Sequence, residues 1–483
     1  MTSLLHTVEK IGGTSMSQYE AVRDNIILGG RSSEDLYRRI FVVSAYGGVT
    51  DELLEHKKTG EPGVYALFAD AESDWAWGDD LTKLIQLLTD INATLFEDEM
   101  LKQQADQFIT DRIEGVRGCL LDLQRLCSYG QFQLEEHLLT VREMLAGIGE
   151  AHSAFNTALK LQQEGINARF VDLTGWRDSE LLPLDEKLKK AFDAVDLSRE
   201  LPIVTGYAQC KEGLMRTFDR GYSEMTFSRV AVITEAVEAV IHKEYHLSSA
   251  DPNMVGADKV VPLGRTNYDV ADQLANLGME AIHPRAAKGL RQNGIPLRVM
   301  NTFEPDHTGT LITRDYVSEK PQVEIIAGNN GVFAIEVFDQ DMQGEPGPDR
   351  RILDVLSRFK VRFISKDTNA NTITHYVDST LKHVKRVVNA LQEAFPNGEV
   401  NTRKVALVSA IGSDMQVPGI LARSVQALAK DEISVLAIHQ SMRQVDMQFV
   451  VAERDYAKAV SALHEALIEP HNHEYAIVAA QAV

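Results

Sequence analysis

Short apolar segments without polar alternation are the feature that most constrains the fold of this 483-residue chain. The run Arg39–Ala45 (RIFVVSA) is rich in β-branched residues and lacks a polar face, which is typical of a strand buried on both sides. Strands that alternate with helices predict a parallel sheet covered by helices on both faces, an α/β fold. The other strand-like segments are Leu4–Ile11, Ala168–Leu173, Leu201–Thr205, Val237–Lys243, Ile282 and Leu297–Met300.

Two helical stretches stand out between these segments. Ser17 precedes Glu20 by three positions, which is the spacing of a capping box, so a helix is predicted over Ser17–Leu28. A long helix is predicted over Leu134–Gln163.

An acidic segment, about residues 56–132, interrupts the alternation and is predicted to be an insertion. Between Glu61 and Asp106 it has eleven acidic residues and two basic ones. An acidic arm that binds a partner is one interpretation. A solvated helical excursion is the other, and we favour it because charge runs usually form solvated faces.

An internal repeat follows Thr313. Val323–Ala390 and Lys404–Ile468 each run as strand, glycine turn, helix, strand and strand, which predicts two copies of a small α+β module. The turns have similar sequences, DMQGEPG at 341–347 and GSDMQVPG at 412–419. A last apolar run, Tyr475–Ala480, predicts a strand that crosses back between the modules.

The composition argues against several classes of function. The net charge of −21 repels nucleic acids and anionic membranes, so a site for an anionic substrate must be locally basic or rich in N–H donors. No membrane span or secretion signal is recognisable. Three cysteines provide neither a disulfide framework nor the spacing of a zinc site, and a cytoplasmic, reduced protein is predicted.

The sequence Lys10–Ser15 (KIGGTS), at the end of the first predicted strand, is the strongest chemical signal. Successive N–H groups at a strand-to-helix turn form an anion-binding nest, and glycines allow close approach of the anion. Lys10 is placed to add an ammonium group beside a transferring phosphate. The chain lacks the Gly-Lys pair of a Walker A loop and the motifs of protein kinases.

These residues resemble the KFGGTS opening of aspartate kinases, in the amino acid kinase superfamily, and the likeness covers nearly the whole chain outside the insertion. It implies an amino acid kinase domain at 1–315, followed by two ferredoxin-like ACT domains at 320–395 and 400–483. The further motifs follow in the family's order: Val42–Ala45 with Gly47 and Thr50–Leu53, Gly149–Ala154, Thr205–Tyr207, Arg220–Glu224, Ser249–Pro252, Gly278 with Ile282–Pro284, and Arg298–Phe303 with Pro305 and Gly309–Thr310.

The resemblance implies transfer of the γ-phosphoryl group of MgATP to the β-carboxylate of L-aspartate. Lys10 and Glu224 are the expected catalytic residues, with Glu224 orienting Lys10. Mg²⁺ is expected to arrive with ATP, without a metal site of the chain's own. The expected aspartate-binding residues are Glu150 for the ammonium, Arg220 for the α-carboxylate, and Ser44, Thr50 and Ser223 for the remaining oxygens. The expected nucleotide-binding residues are Gly12, Gly13, Thr14, Ser15, His242, Lys243 and Ser248.

The chain departs from the family pattern near the nucleotide. His242-Lys243 replaces a Thr-Asp pair, Ser248 replaces a tyrosine, Glu280 replaces a lysine, and Glu224 stands for the usual aspartate. Lys243 or Arg265 is therefore expected to supply positive charge to the nucleotide. The run 241–252 (IHKEYHLSSADP) resembles that of the aspartate kinases associated with synthesis of ectoine, a compatible solute.

An amino acid effector is expected at the first ACT turn, on backbone groups of Asp341, Met342, Gly344 and Gly347. The ACT domains are expected to form a homodimer or a higher oligomer. The alternative is that these modules only dimerise. The second module has Ala437–Met442 where the family has a strand rich in Thr and Ser, so feedback inhibition is predicted to be weakened or altered.

Two other functions are compatible with the sequence. One is a kinase for another acid, such as glutamate or N-acetylglutamate. The other is a catalytically inactive amino acid sensor that has kept its ACT modules. An inactive site has no physical need of the retained residues, which therefore argue against the sensor: Lys10, Gly12, Gly13, Glu150 and Arg220.

Overall fold

The computed structural model describes residues 5–31, 35–57, 59–70, 75–218, 221–279, 281–342, 345 and 347–470. It divides into two compact units. The first comprises Met1–His246 and Ile282–Thr313, and the second comprises Leu247–Ala281 and Arg314–Val483. Within the described residues, no helix has the length and apolar character that crossing a bilayer requires.

The first unit is built on a mostly parallel sheet, as predicted. Its strands lie in the order β3-β4-β2-β1-β5-β7-β8, and only β8 runs antiparallel to its neighbour. The prediction of a strand at Ile282 is wrong, because this buried residue lies in a bend before a helix. The strands are β1 Thr7–Ile11, β2 Arg39–Val43, β3 Ala168–Val171, β4 Leu201–Thr205, β5 Glu238–Lys243, β6 Arg265–Asn267 of the second unit, β7 Leu297–Asn301 and β8 Thr310–Thr313.

Helices follow most strands of this unit. The capping-box prediction is wrong, because the Ser17 hydroxyl donates to the Gly13 carbonyl and accepts from the Gly47 N–H. Residues Val22–Leu28 form a π-helix. The α-helices are α1 Gly13–Met16, α2 Tyr19–Ala21, α3 Val49–Leu53, α4 Val64–Asp70, α5 Ala76–Leu95, α6 Glu99–Cys127, α7 Leu138–Gln163, α8 Leu184–Phe192, α9 Leu214–Phe218, α10 Tyr222–Ile233, α11 Pro252–Val255 and α12 Tyr268–Asn276 of the second unit, and α13 Pro284–Gln292.

The acidic insertion forms helices α4 to α6, and the last two are long. Trp77 is 2 % exposed whereas Trp75 is 76 % exposed, so one face of this segment is buried. The rings of Phe108 on α6 and Phe155 on α7 stack 3.9 Å apart. The insertion is therefore a helical layer packed on α7, and its acidic residues lie mostly on the solvated side.

The second unit contains the predicted repeat. Its strands form one antiparallel sheet in the order β10-β11-β9-β12-β14-β13, and the long pairing of β9 with β12 joins the two modules. Each module runs β-α-β-β-α and has its own apolar core. The elements are β9 Ile325–Phe338, α14 Gly347–Arg358, β10 Phe363–Thr368, β11 Thr372–Asp378, α15 Leu381–Ala394, β12 Glu399–Ile411, α16 Ile420–Lys430, β13 Val435–Gln440, β14 Asp446–Ala452 and α17 Tyr456–Leu467.

The first ACT turn is described only in part. The Met342 side chain packs into the module's apolar core, and an effector contact through the backbone of this turn stays a prediction. Asp341 is exposed, and Gly347 begins α14 with open space beside it. Gly344 and the predicted strand Tyr475–Ala480 lie outside the described residues.

Candidate active site

The turn after β1 needs its glycines for close packing of the backbone. A Cβ at Gly13 would lie 2.6 Å from the Ala45 carbonyl oxygen, a distance that real Cβ atoms do not reach. Neither Gly12 nor Gly13 has a positive φ. The glycines thus let the turn lie directly against the loop that follows β2, which carries Ser44.

A carboxylate of the chain itself lies on the turn. Glu244 Oε1 accepts hydrogen bonds from the Ser15 N–H at 3.1 Å and from the Ser15 hydroxyl at 3.0 Å. The Ser15 hydroxyl also lies 3.1 Å from that of Thr302, and Thr14 is exposed. The Ser15 donors, which the sequence predicts for a phosphate, are therefore able to bind an anion. In this structure that anion is the Glu244 carboxylate.

Lys10 is buried at the end of β1. Burial lowers the pKa of its ammonium group, and the positive charge of Lys243 acts in the same direction. The carboxylates of Glu224, Glu244 and Glu150 oppose this shift. Lys10 is thus a buried cation surrounded by three carboxylates of the chain, and it is available to bind an anionic group of a ligand.

His242 lies on the other face of the sheet. In the parallel register, Lys10 pairs with Ile241 whereas Ile11 pairs with His242, so His242 and Glu9 share the face opposite to Lys10. The His242 Nε2 atom lies 2.8 Å from Glu9 Oε2, and the Arg39 guanidinium donates two hydrogen bonds to the same carboxylate. The prediction that the His242 side chain contacts a nucleotide beside Lys10 is therefore abandoned, because the ring belongs to a buried charged cluster.

The remaining expected nucleotide-binding residues belong to different units of the chain. Lys243 ends β5 on the Lys10 face. Ser248 lies in the second unit, where its hydroxyl donates to the Ala250 carbonyl at 2.9 Å. Its nucleotide role remains a prediction, and Glu280 lies outside the described residues.

Glu150 is placed by two further glycines. A Cβ at Gly149 would lie 2.6 Å from the Ala45 Cβ, so helix α7 can approach this loop only with glycine there. A Cβ at Gly206 would lie 2.7 Å from the Val43 carbonyl, 3.0 Å from the Ser223 Cβ and 3.4 Å from the Glu150 Cγ. Glu150 and Ser223 therefore meet around Gly206, just beyond the carboxyl ends of β2 and β4.

The Glu150 side chain is only 2 % exposed, and its two oxygens differ. Oε1 accepts a hydrogen bond of 2.6 Å from the Tyr222 hydroxyl, while Oε2 has no hydrogen-bond partner among the described residues. Burial raises the pKa of Glu150 to about 7, although Tyr222, two backbone N–H groups and Lys10 favour the ionised form. A buried carboxylate oxygen without a partner is costly, so this atom indicates the place of a cationic ligand group.

The other expected substrate and catalytic residues surround this point. The Ser44 carbonyl accepts a hydrogen bond of 2.7 Å from Ser153, which ties α7 to the loop after β2. Thr50 is half-buried in α3. Glu224 accepts a hydrogen bond from the His283 N–H and acts electrostatically on Lys10. Arg220 lies outside the described residues, so its role remains a prediction.

Sequence reasoning missed two residues of this site, Tyr222 and Glu244. Both lie within segments that carry the family resemblance, 220–224 and 241–252, and that position was the available signal. Their contacts are to Glu150 and Ser15, which lie 72 and 229 positions away in the chain, so no local pattern indicates them.

Comparison with known proteins shows the family of the chain. The amino acid kinase family model matches residues 6–301, and an ACT domain model matches residues 408–467. The chain is 59% identical to aspartate kinase Ask_Ect of Stutzerimonas stutzeri over 476 residues, which cover 99% of this chain and 100% of the relative. It is 25% identical to aspartokinase 2 of Arabidopsis thaliana, covering 96% of this chain and 85% of the relative.

Solved structures agree on the fold. E. coli aspartokinase III in complex with aspartate and ADP has a TM-score of 0.70 at 18% identity, covering 96% of this chain and 100% of that one. The aspartate kinase of Clostridium acetobutylicum has a TM-score of 0.69 at 20% identity, covering 95% and 100%. With the full-length match at 59% identity, these findings show that the chain belongs to the amino acid kinase family and, within it, to the aspartate kinases.

Proposed function

We propose that this protein transfers the γ-phosphoryl group of MgATP to the β-carboxylate of L-aspartate. The observation that carries the proposal is the buried Glu150 Oε2, which has no partner among the described residues and lies in the same site as Lys10. An α-ammonium group of the substrate supplies the missing donor. Glutamate kinase activity is the second candidate, because its substrate has the same ammonium and a carboxylate one methylene further away.

Aspartate recognition requires three charged groups to be matched. Glu150 binds the ammonium, and Arg220 is the proposed partner of the α-carboxylate, for which its planar guanidinium suits a bidentate pair. Ser44, Thr50 and Ser223 are the proposed donors to the remaining oxygens. The β-carboxylate is then directed toward Lys10.

The chemical step needs no general base, because the attacking β-carboxylate is ionised at neutral pH. One of its oxygens forms a bond to the γ-phosphorus while the bond from that phosphorus to the β,γ-bridging oxygen breaks, leaving aspartyl phosphate and ADP. Lys10, Lys243 and the N–H groups of the Gly12–Ser15 turn are the proposed groups that neutralise charge on the transferring phosphoryl group. Mg²⁺ enters with ATP as part of the substrate.

Hydroxylamine trapping of the acyl phosphate tests the function. Purified protein with MgATP is assayed with aspartate, glutamate and N-acetylglutamate in parallel. Hydroxamate formed only with aspartate is the expected result. Turnover with glutamate at equal kcat/KM would favour the second candidate, and no turnover in a folded protein would favour the inactive sensor.

Glu244 should compete with the nucleotide for the turn. Glu244→Gln removes the negative charge but keeps an oxygen acceptor for the Ser15 donors, so we expect the KM for ATP to fall by about three- to tenfold, the worth of one ordinary hydrogen bond. Steady-state kinetics at saturating aspartate measure this change. Glu304→Gln, which removes an exposed charge near Thr302, is the matched control. A higher KM for ATP in Glu244→Gln would show instead that Glu244 helps to bind the nucleotide or its Mg²⁺.

The product's use is proposed from the sequence likeness. The run 241–252 and the 59% identity to Ask_Ect favour a supply of aspartyl phosphate for ectoine synthesis. Two further proposals rest on the same likeness: an effector at the backbone of Asp341, Met342, Gly344 and Gly347, and assembly through the ACT domains. Adding lysine, threonine or ectoine to the hydroxylamine assay tests them, and strong inhibition by lysine alone would contradict the weakened feedback that the second module predicts.

A further inference from the structure

The Tyr222 hydroxyl is a built-in partner of the substrate-binding carboxylate. Tyr222 begins α10 and is 3 % exposed, and its oxygen lies 2.6 Å from Glu150 Oε1. Because the bond is short and buried and joins two separate elements, it restrains rotation of the carboxyl group. The restraint leaves Oε2 as the oxygen that has no hydrogen-bond partner among the described residues.

A second tyrosine in the same place provides a natural comparison. The rings of Tyr207 and Tyr222 are 5.5 Å apart, edge to face, and both are buried. Tyr207 donates its hydroxyl to Glu143, which lies two helical turns before Glu150 on α7. Each tyrosine thus holds one glutamate of the same helix. Within the described part of the chain, Glu150 has an oxygen without a hydrogen-bond partner, whereas both Glu143 oxygens accept hydrogen bonds.

We propose that Tyr222 is a positioning residue for aspartate binding, which holds Glu150 ionised and aims Oε2 at the substrate's α-ammonium group. The proposal rests on the proposed function, because it needs Glu150 to bind that ammonium. It goes beyond that function because it makes the affinity for aspartate, and the pH dependence of that affinity, depend on Tyr222. This residue contacts the Glu150 carboxylate and not the reacting atoms of the substrates.

The charges around Glu150 give the direction of the pH effect. Groups facing the carboxylate are the Lys10 ammonium on β1, the Tyr222 hydroxyl on α10, the backbone N–H groups of Ala45 and of Glu150 itself, and the Tyr207 phenol after β4. Burial raises the pKa of Glu150 to about 7, and the hydrogen bond from Tyr222 opposes that rise. Without the hydroxyl, the carboxyl group holds its proton to a higher pH and binds an ammonium less well.

Tyr222→Phe tests the assignment by removing one oxygen atom. We expect the KM for aspartate to rise by about tenfold at pH 7 with kcat changed less than about threefold, because the lost bond is charge-assisted and acts in binding. The acidic limb of kcat/KM for aspartate should move to higher pH. The KM for ATP should not change. Tyr207→Phe, which removes the hydroxyl that Glu143 accepts, should leave both the KM for aspartate and the limb in place.

A double-variant cycle separates positioning from general loss of structure. In a Glu150→Gln background, Tyr222→Phe should cause little further rise in the KM for aspartate, because the charge that Tyr222 serves is already absent. Equal rises in both backgrounds, or an unshifted acidic limb in folded Tyr222→Phe, would overturn the proposal. If Tyr222→Phe does not fold, Tyr222→His takes its place: a KM nearer to wild type than that of Glu150→Gln supports the role of the donor, and an equal KM overturns it.

The outcome is distinguishable from failure of the proposed function. A wild-type protein without aspartate-dependent hydroxamate formation refutes the function itself. An active wild-type protein in which Tyr222→Phe and Tyr207→Phe behave alike refutes only the role of Tyr222.

Discussion

Lys10→Ala should lower kcat for aspartyl phosphate formation by at least about a thousandfold, the scale on which a preorganised cation acts in phosphoryl transfer. Lys10 is buried at the end of β1 among Glu224, Glu244 and Glu150, so no solvent cation replaces it readily. A variant without it leaves the charge of the transferring phosphoryl group to Lys243 and to backbone donors. Hydroxamate formation at saturating MgATP and aspartate measures the loss.

The matched control for this experiment is Lys57→Ala, which removes an exposed cation elsewhere in the same unit and should leave kcat near wild type. The melting temperature of Lys10→Ala shows whether the protein remains folded. Retention of a tenth or more of wild-type kcat in Lys10→Ala would exclude Lys10 as the cation that acts on the phosphoryl group.

Glu150→Gln should raise the KM for aspartate by about a hundredfold at pH 8, with a smaller effect on the KM for ATP. Loss of a buried, charged partner of an ammonium group costs about 2–5 kcal/mol in comparable interfaces. Since the pKa of Glu150 is raised to about 7, the wild-type kcat/KM for aspartate should fall as the pH drops below that value. The Glu150→Gln variant should lack this fall in kcat/KM at acidic pH. If the variant keeps it unchanged, a titratable group other than Glu150 causes it.

The same substitution should stabilise the empty protein at alkaline pH. Burial raises the folded-state pKa of Glu150 from 4.5 to about 7, so between these values the folded state binds more protons and its stability falls with rising pH. The penalty is up to about 3 kcal/mol above pH 7 and vanishes below pH 4.5. A Glu150→Gln variant that unfolds at higher denaturant concentration than wild type at pH 8, but not at pH 4, fits this account. A less stable variant at pH 8 would show that the carboxylate is well compensated without substrate.

The sequence alone determined the architecture of each part of the chain. The run Arg39–Ala45 has no polar face because its strand is buried on both sides, and apolar periodicity records burial directly. The repeated turns at 341–347 and 412–419 indicated the two modules because each copy must bury the same helix face. The KIGGTS motif likewise placed Lys10 at the end of β1, since a strand, a turn and a helix are local features.

The tertiary structure decided which side chains meet. The register of β1 with β5 puts His242 on the face of the sheet opposite to Lys10. A shift of one residue would put both side chains on the same face, and the amino acid composition does not reveal the register. Met342 is in the core because α14 and α15 close over it. Glu244 reaches Ser15 because β5, which ends at the preceding residue, pairs with β1. Tyr222 reaches Glu150 where Gly206 lets their segments approach at distances that a Cβ would prevent. Contacts between groups far apart in the chain depend on this packing, and a single sequence does not record it.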